Sequence, residues 1–162
     1  MSKGESKGWA RLGYDIRKMN IIDGKGGVEM IVVGLQPGEM LLESLKKAIA
    51  DRGIRNGAVV SGAGTLKSVR MHYVDHDRFP PKDVFVTVPG PLELVSIQGV
   101  IADGEPHLHV TVSRREEGAR SGHLEDGSEV LYLAEVAILK CDSLAMVRRL
   151  DEARKIKLLG PR

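Results

Sequence analysis

Residues 92–113 constrain the fold more than any other stretch: two alternating runs are joined by Asp103-Gly104. An Asp-Gly pair favours the two-residue turn that folds neighbouring strands back on each other. Successive side chains on a strand point to opposite faces. In the first run, Glu93, Val95, Ile97, Gly99 and Ile101 are expected to share a face. In the second, Leu108, Val110 and Val112 share one face, and His107, His109, Thr111 and Ser113 share the other. Such a hairpin demands a sheet with an apolar side to bury, and it sets two imidazoles side by side on the opposite surface.

The rest of the chain supplies partners for that hairpin. Residues 1–8 are polar and Gly-rich and read as a flexible tail, and residues 9–160 read as a single domain. Residues 9–22 carry scattered apolar positions and suggest an edge strand. Residues 28–35 form a short apolar strand ended by Gln36-Pro37-Gly38, and the stripe Leu41, Leu45, Ala48, Ile49 predicts a helix over 39–52. Strands are expected at 58–65, 69–73 and 84–88, with Pro89-Gly90-Pro91 as a turn before the hairpin. Arg114 to Gly122 reads as a charged loop. Residues 130–140 are almost unbroken apolar, as a strand covered on both faces would be. Ser143 is placed to cap a last helix from Leu144 to about Lys155. This order predicts an α+β domain: a mainly antiparallel, partly barrel-like sheet of about seven strands, one helix after the first strong strand and one near the C-terminus.

The chemistry concentrates on the histidines. Two imidazoles at i and i+2 on a strand can grip one cation, and His123 brings a third from the segment that follows. Neutral nitrogen ligands of this kind suit zinc and similar divalent metals, often with one coordination position left open. The same spacing also suits histidines that merely face solvent, and spacing alone does not choose between the two. His72 and His76 lie at a strand end and in the polar loop after it, where surface histidines are common.

Other classes of function find little support. Asp23-Gly24-Lys25-Gly26-Gly27 lacks the Gly-x4-Gly-Lys-Ser/Thr pattern of a phosphate loop. Ser61 has no Gly-x-Ser-x-Gly elbow, and Cys141 has no adjacent base. A net charge of +2 does not mark a dedicated electrostatic binder of nucleic acid. The lone cysteine excludes an internal disulfide and fits a reducing cytoplasm, and no apolar run reaches membrane-spanning length.

Several runs, in order, resemble one family. They are Leu35-Gln36-Pro37-Gly38-Glu39, Val60-Ser61-Gly62-Ala63-Gly64-Thr65-Leu66, Gly90-Pro91-Leu92-Glu93-Leu94-Val95-Ser96-Ile97-Gln98-Gly99, Pro106-His107-Leu108-His109, Gly122-His123-Leu124 and Ala134-Glu135-Val136. Together, over residues 28–141, they resemble the plants and prokaryotes conserved (PPC, or DUF296) domain in its stand-alone prokaryotic form. The resemblance implies a compact homotrimer, a suspected metal site on His107, His109 and His123, and a DNA-binding association. Leu92 stands where the family typically has an aromatic. The Arg-Gly-Arg-Pro core of an AT-hook, which enters the A·T minor groove, is absent.

Two functional readings follow. One is a trimeric metal-binding domain with a zinc-like cation on His107, His109 and His123, Glu135 as a candidate base or hydrogen-bonding partner, and hydrogen bonds from Thr111 or Ser113. Whether it is an enzyme stays open, and a carboxylate held by backbone amides, or by an arginine across a subunit boundary, accounts better for Glu135 than catalysis does. The other is a non-catalytic assembly module whose histidines shape a small-ligand pocket, with weak DNA contact through Arg114, Arg115 and Arg120 and the basic C-terminal segment. A cupin-like dioxygenase fits poorly: Glu116 and Glu117 sit in the charged loop, and His123 follows too soon for a later strand.

Overall fold

The computed structural model describes residues 19–162. The expected tail at 1–8 and most of the segment at 9–22 lie outside the described residues; residues 19–22 belong to neither helix nor strand. The elements run in the order β1 (Glu29–Leu35), α1 (Leu41–Asp51), β2 (Gly57–Val74), β3 (Asp83–Ala102), β4 (Glu105–Arg114), β5 (Gly118–Leu124), β6 (Glu129–Lys140), β7 (Met146–Asp151) and β8 (Ile156–Pro161). Six strands form an antiparallel sheet in the order β1-β6-β2-β3-β4-β5. A second pairing of β2 with β5 closes part of it into a ring.

Closure depends on the length of β2 and β3. The first half of β2 pairs with β6 and with the second half of β3; its second half pairs with the first half of β3 and, at Met71 and His72, with β5. Each of these strands was expected as two pieces. Bulges in β2 between Val59 and Ser61 and between Leu66 and Ser68 let it bend without a break. β3 likewise continues through the expected Pro89-Gly90-Pro91 turn. A Cβ on Gly90 would stand 2.5 Å from the Leu66 carbonyl oxygen, so glycine lets the two bent strands nest.

The ring's interior is apolar. Leu66, Val69, Met71, Ile97, Leu108, Val110 and Leu124 are buried from successive strands. Leu41, Leu42, Leu45 and Ile49 form the buried stripe of α1, which packs into the same core. Burying each such side chain contributes roughly 1.5–3 kcal/mol. Glu43 lies in the first turn, where a carboxylate favours the helix dipole. After Gly53 the chain leaves the helix as the Ile54 N–H returns to the Ile49 carbonyl at 2.9 Å.

Four expectations change. A bulge between Leu94 and Ser96 switches faces within β3, so Leu94, Ile97 and Ile101 are buried while Val95 is exposed. The charged loop at 114–122 is mostly strand β5. The 130–140 strand is covered on one face only, with Tyr132 and Leu133 exposed. The predicted last helix is instead the β7–β8 hairpin. Asp151 accesses two turn amides, its Oδ1 accepting from Ala153 N–H at 3.0 Å and Arg154 N–H at 2.9 Å, and Lys155 takes a left-handed conformation with φ 58°. The buried Asn56 holds the strand entry by accepting from Met146 N–H and donating to the Leu144 carbonyl. These contacts satisfy backbone groups that a helix would otherwise pair internally. Among the described residues no helix is long and apolar enough to cross a membrane.

Candidate metal centre

Strand alternation on β4 does what the sequence implies. Leu108, Val110 and Val112 turn into the core, and His107 and His109 face out. His109 lies directly opposite His123 on β5, and His123 lies directly opposite His72 on β2. Directly opposed residues on an antiparallel pair share a face and bring their side chains together. One nitrogen from each of His107, His109 and His123 falls within 4.8 Å of the others. The ring centroids of His107 and His123 are 4.7 Å apart, and those of His109 and His123 are 5.3 Å apart, both nearly perpendicular. Three imidazoles from two adjacent strands therefore converge, and the donor set fits a borderline divalent cation.

Burial disfavours the charged form of His107 and His123. Burial, with His107, His72 and His109 close by, pushes the His123 imidazole down to about 4. His107 is also lowered, first by burial, then by the Arg148 guanidinium and its histidine neighbours. A neutral imidazole offers the lone pair that a metal requires.

Two residues join the site that the sequence reading left aside. His72 stacks on His123 with centroids 4.4 Å apart, and its Nδ1 is 2.6 Å from Glu125 Oε1. His72, His123 and Glu125 form a second convergent group that shares His123 with the first. The outward phase of His72 was legible from the alternation around Met71. Its nearness to His123 follows only from ring closure, which no local pattern reports. Thr111 bonds Ser121 through their hydroxyls at 2.9 Å, two rungs along from the His109–His123 pair on the same face.

The other candidates lie elsewhere. Glu135 is exposed on β6, opposite Gly34 and Ala63, and belongs to neither histidine group. Arg114 donates to Glu117 and to the carbonyls of Pro89 and Gly90. Arg115 and Arg120 each stand 3.6 Å from a carboxylate, of Glu116 and Glu117 respectively. The three arginines thus neighbour acids of their own turn.

A cavity of about 640 Å³ opens beside the histidines, floored by His72, His107 and His123. One wall is the loop at 75–82, and the other is the C-terminal hairpin with Arg148, Lys155 and Lys157.

The family model for the Plants and Prokaryotes Conserved (PCC) domain matches residues 23–142. The chain belongs to this family. Solved structures share the PCC fold closely. A protein from Salmonella cholerae-suis is 19% identical with a TM-score of 0.75, over 86% of this chain and 98% of that one. The metal-containing protein AF0104 from Archaeoglobus fulgidus is 24% identical with a TM-score of 0.74, over the same shares. A plant- and prokaryote-conserved protein from Pyrococcus horikoshii is 25% identical with a TM-score of 0.70, over 90% of this chain and 98% of that one. Among curated proteins, the bifunctional protein GlmU of Synechococcus sp. (strain JA-2-3B'a(2-13)) is 23% identical over 128 residues, 79% of this chain. This PCC chain spans about a fifth of that relative's length, 19%. The matched region ends at 142, so the β7–β8 hairpin lies beyond it.

Proposed function

We propose that this PCC domain binds one zinc-like divalent cation per chain on His107, His109 and His123, and presents it to a small molecule in the adjoining cavity. The observation that carries this is the convergence of the three imidazoles within 4.8 Å. The lowered His107 and His123 support it, and so does the metal-containing relative of the same fold. A cation held this way supplies Lewis acidity to an oxygen ligand. The protein's own part is to fix the rings through β4 and β5, with His72 and Glu125 backing His123.

The working unit in this reading is a homotrimer. Met30, Val32 and Tyr132 are each about two-thirds exposed, at 64%, 65% and 68%. Met30 and Val32 lie on the outer side of β1, opposite Leu139 and Ala137 of β6. Exposed apolar side chains that neighbour one another, as Met30 and Val32 do on one face of β1, mark association surfaces. The DNA-binding alternative draws less support, because Arg114, Arg115 and Arg120 already neighbour carboxylates.

The test is elemental analysis of untagged protein beside a His107→Ala/His109→Ala variant, with the mass in solution measured by light scattering. Near-stoichiometric metal that disappears in the variant, at three times the chain mass, is the expected result. A wild type that takes up no added zinc would overturn the metal reading.

A further inference from the structure

The strongest unexplained feature is the guanidinium of Arg148. It comes from β7, outside the region that the family model matches. It donates through Nη1 to the Glu105 carbonyl at 2.8 Å and through Nη2 to the Val100 carbonyl at 2.9 Å. Val100 lies opposite His107 across β3 and β4, so this pins the guanidinium beside the first histidine. Those bonds use two of its five N–H groups, leaving three. Arg148 is half-buried and forms no ion pair within 4 Å among the described residues. The nearest acid offers little relief, because the Glu105 carboxylate is bonded to Lys157 Nζ at 2.7 Å. A partly desolvated cation with donors to spare calls for an anion.

The cavity meets that need on one side. Arg148, Lys155, Lys157 and Glu105 line it near the hairpin, and Asp77, Arg78 and Asp83 also line it. Lys155 is paired with Glu152 and Lys157 with Glu105, so Arg148 is the cation of the hairpin lining without an ion pair among the described residues. Asp83 Oδ1 is 3.8 Å from His72 Nε2, which ties that carboxylate to the histidine floor. The cavity is of a size that encloses a small metabolite. The planar fork of an arginine matches a carboxylate or phosphate through two parallel hydrogen bonds.

We infer that the cavity is a site for a small oxyanion, a carboxylate or phosphate group clasped by Arg148 with the rest of the molecule directed toward the histidines. Delivery of that molecule to a cation rests on the function proposed above; the anion site itself does not. Because Arg148 stands on β7, the choice of anion rests with the C-terminal hairpin.

Calorimetric titration of the full chain with inorganic phosphate and with malonate tests this, in zinc-loaded and metal-free forms, with zinc counted before and after. Saturable binding of one of the two is expected, and which one identifies the group. Arg148→Met should weaken it about tenfold or more at unchanged zinc content. Arg148→Lys, which keeps the charge and one carbonyl bond, should weaken it less and serves if the first variant fails to fold. Equal affinity in wild type and both variants, or no binding of either anion at millimolar concentration, would overturn the anion site. If zinc is not taken up, the metal reading falls, and titration of the metal-free protein still decides for or against Arg148.

Discussion

His72 of β2 and His123 of β5 face each other across the strand pair that closes the ring, with centroids 4.4 Å apart. The ladder there pairs Met71 with Leu124 and His72 with His123, and the Glu125 N–H extends it by donating to the Arg70 carbonyl at 3.0 Å. Closure of the fold and assembly of the site are therefore the same contact. His123→Ala should abolish zinc uptake, since it removes a ligand that both histidine groups share. His72→Ala should keep one zinc per chain but weaken it by roughly tenfold, as loss of a residue backing a metal ligand does. Competition with a chromogenic chelator measures both. Two zinc ions per wild-type chain would mean that His123 bridges the two groups.

The buried imidazole makes the metal-free protein sensitive to mild acid. The His123 pKa falls from the ordinary 6.5 to about 4 on folding. Between those values the unfolded chain takes up a proton that the folded chain refuses, so stability declines as the pH drops through this window and is level above it. His107 acts in the same direction. Urea midpoints should fall more steeply for wild type than for His123→Gln between pH 6.5 and about 4.5. Parallel curves would show that His123 titrates normally in the fold.

At Gly99, β3 and β4 approach closely beside the site. A Cβ there would lie 1.9 Å from the His107 carbonyl oxygen, and that oxygen belongs to backbone that cannot swing aside. Gly99→Ala should push β4 outward, cost about 1–3 kcal/mol by overpacking, and weaken zinc by moving His107. Thermal melts with and without zinc would register both effects. A variant with wild-type stability would show that β4 shifts freely.

The turn of the C-terminal hairpin depends on Asp151. Its carboxyl is held below the usual range by the Arg154 backbone N–H, then by the Arg154 side chain. A lowered carboxylate contributes stability above its unfolded value, here 3.8, and loses it as the pH falls through the folded value. At neutral pH, Asp151→Ala should speed amide hydrogen exchange in β7 and β8 several-fold and leave β4 and β5 unchanged. Unaltered exchange in the hairpin would show that Asn56 and Arg148 hold it without the turn.

The sequence made most of this legible where local rules operate. Alternation on β4 separated His107 and His109 from Leu108 and Val110, and the Asp103-Gly104 turn placed β4 against β3. Local rules failed where distant contacts decided. Ser143, as a cap, suggested a helix from Leu144 to about Lys155, but Asn56 and Arg148 draw the segment into a hairpin. His72 is 51 positions from His123 along the chain, and a lone histidine at a strand end carries no mark of that partner. Nothing in the basic C-terminal segment singles out Arg148, because its carbonyl partners, Val100 and Glu105, are contributed by another hairpin.

On β4 every histidine has a core residue as its immediate neighbour. A strand displaced by one position would turn Leu108 and Val110 to water and drive both imidazoles into the ring. The apolar packing that makes the chain fold is thus also its proofreading of the ligand set. Misalignment of the histidines is penalised as misfolding, so a chain that reaches this fold arrives with its donors already in step.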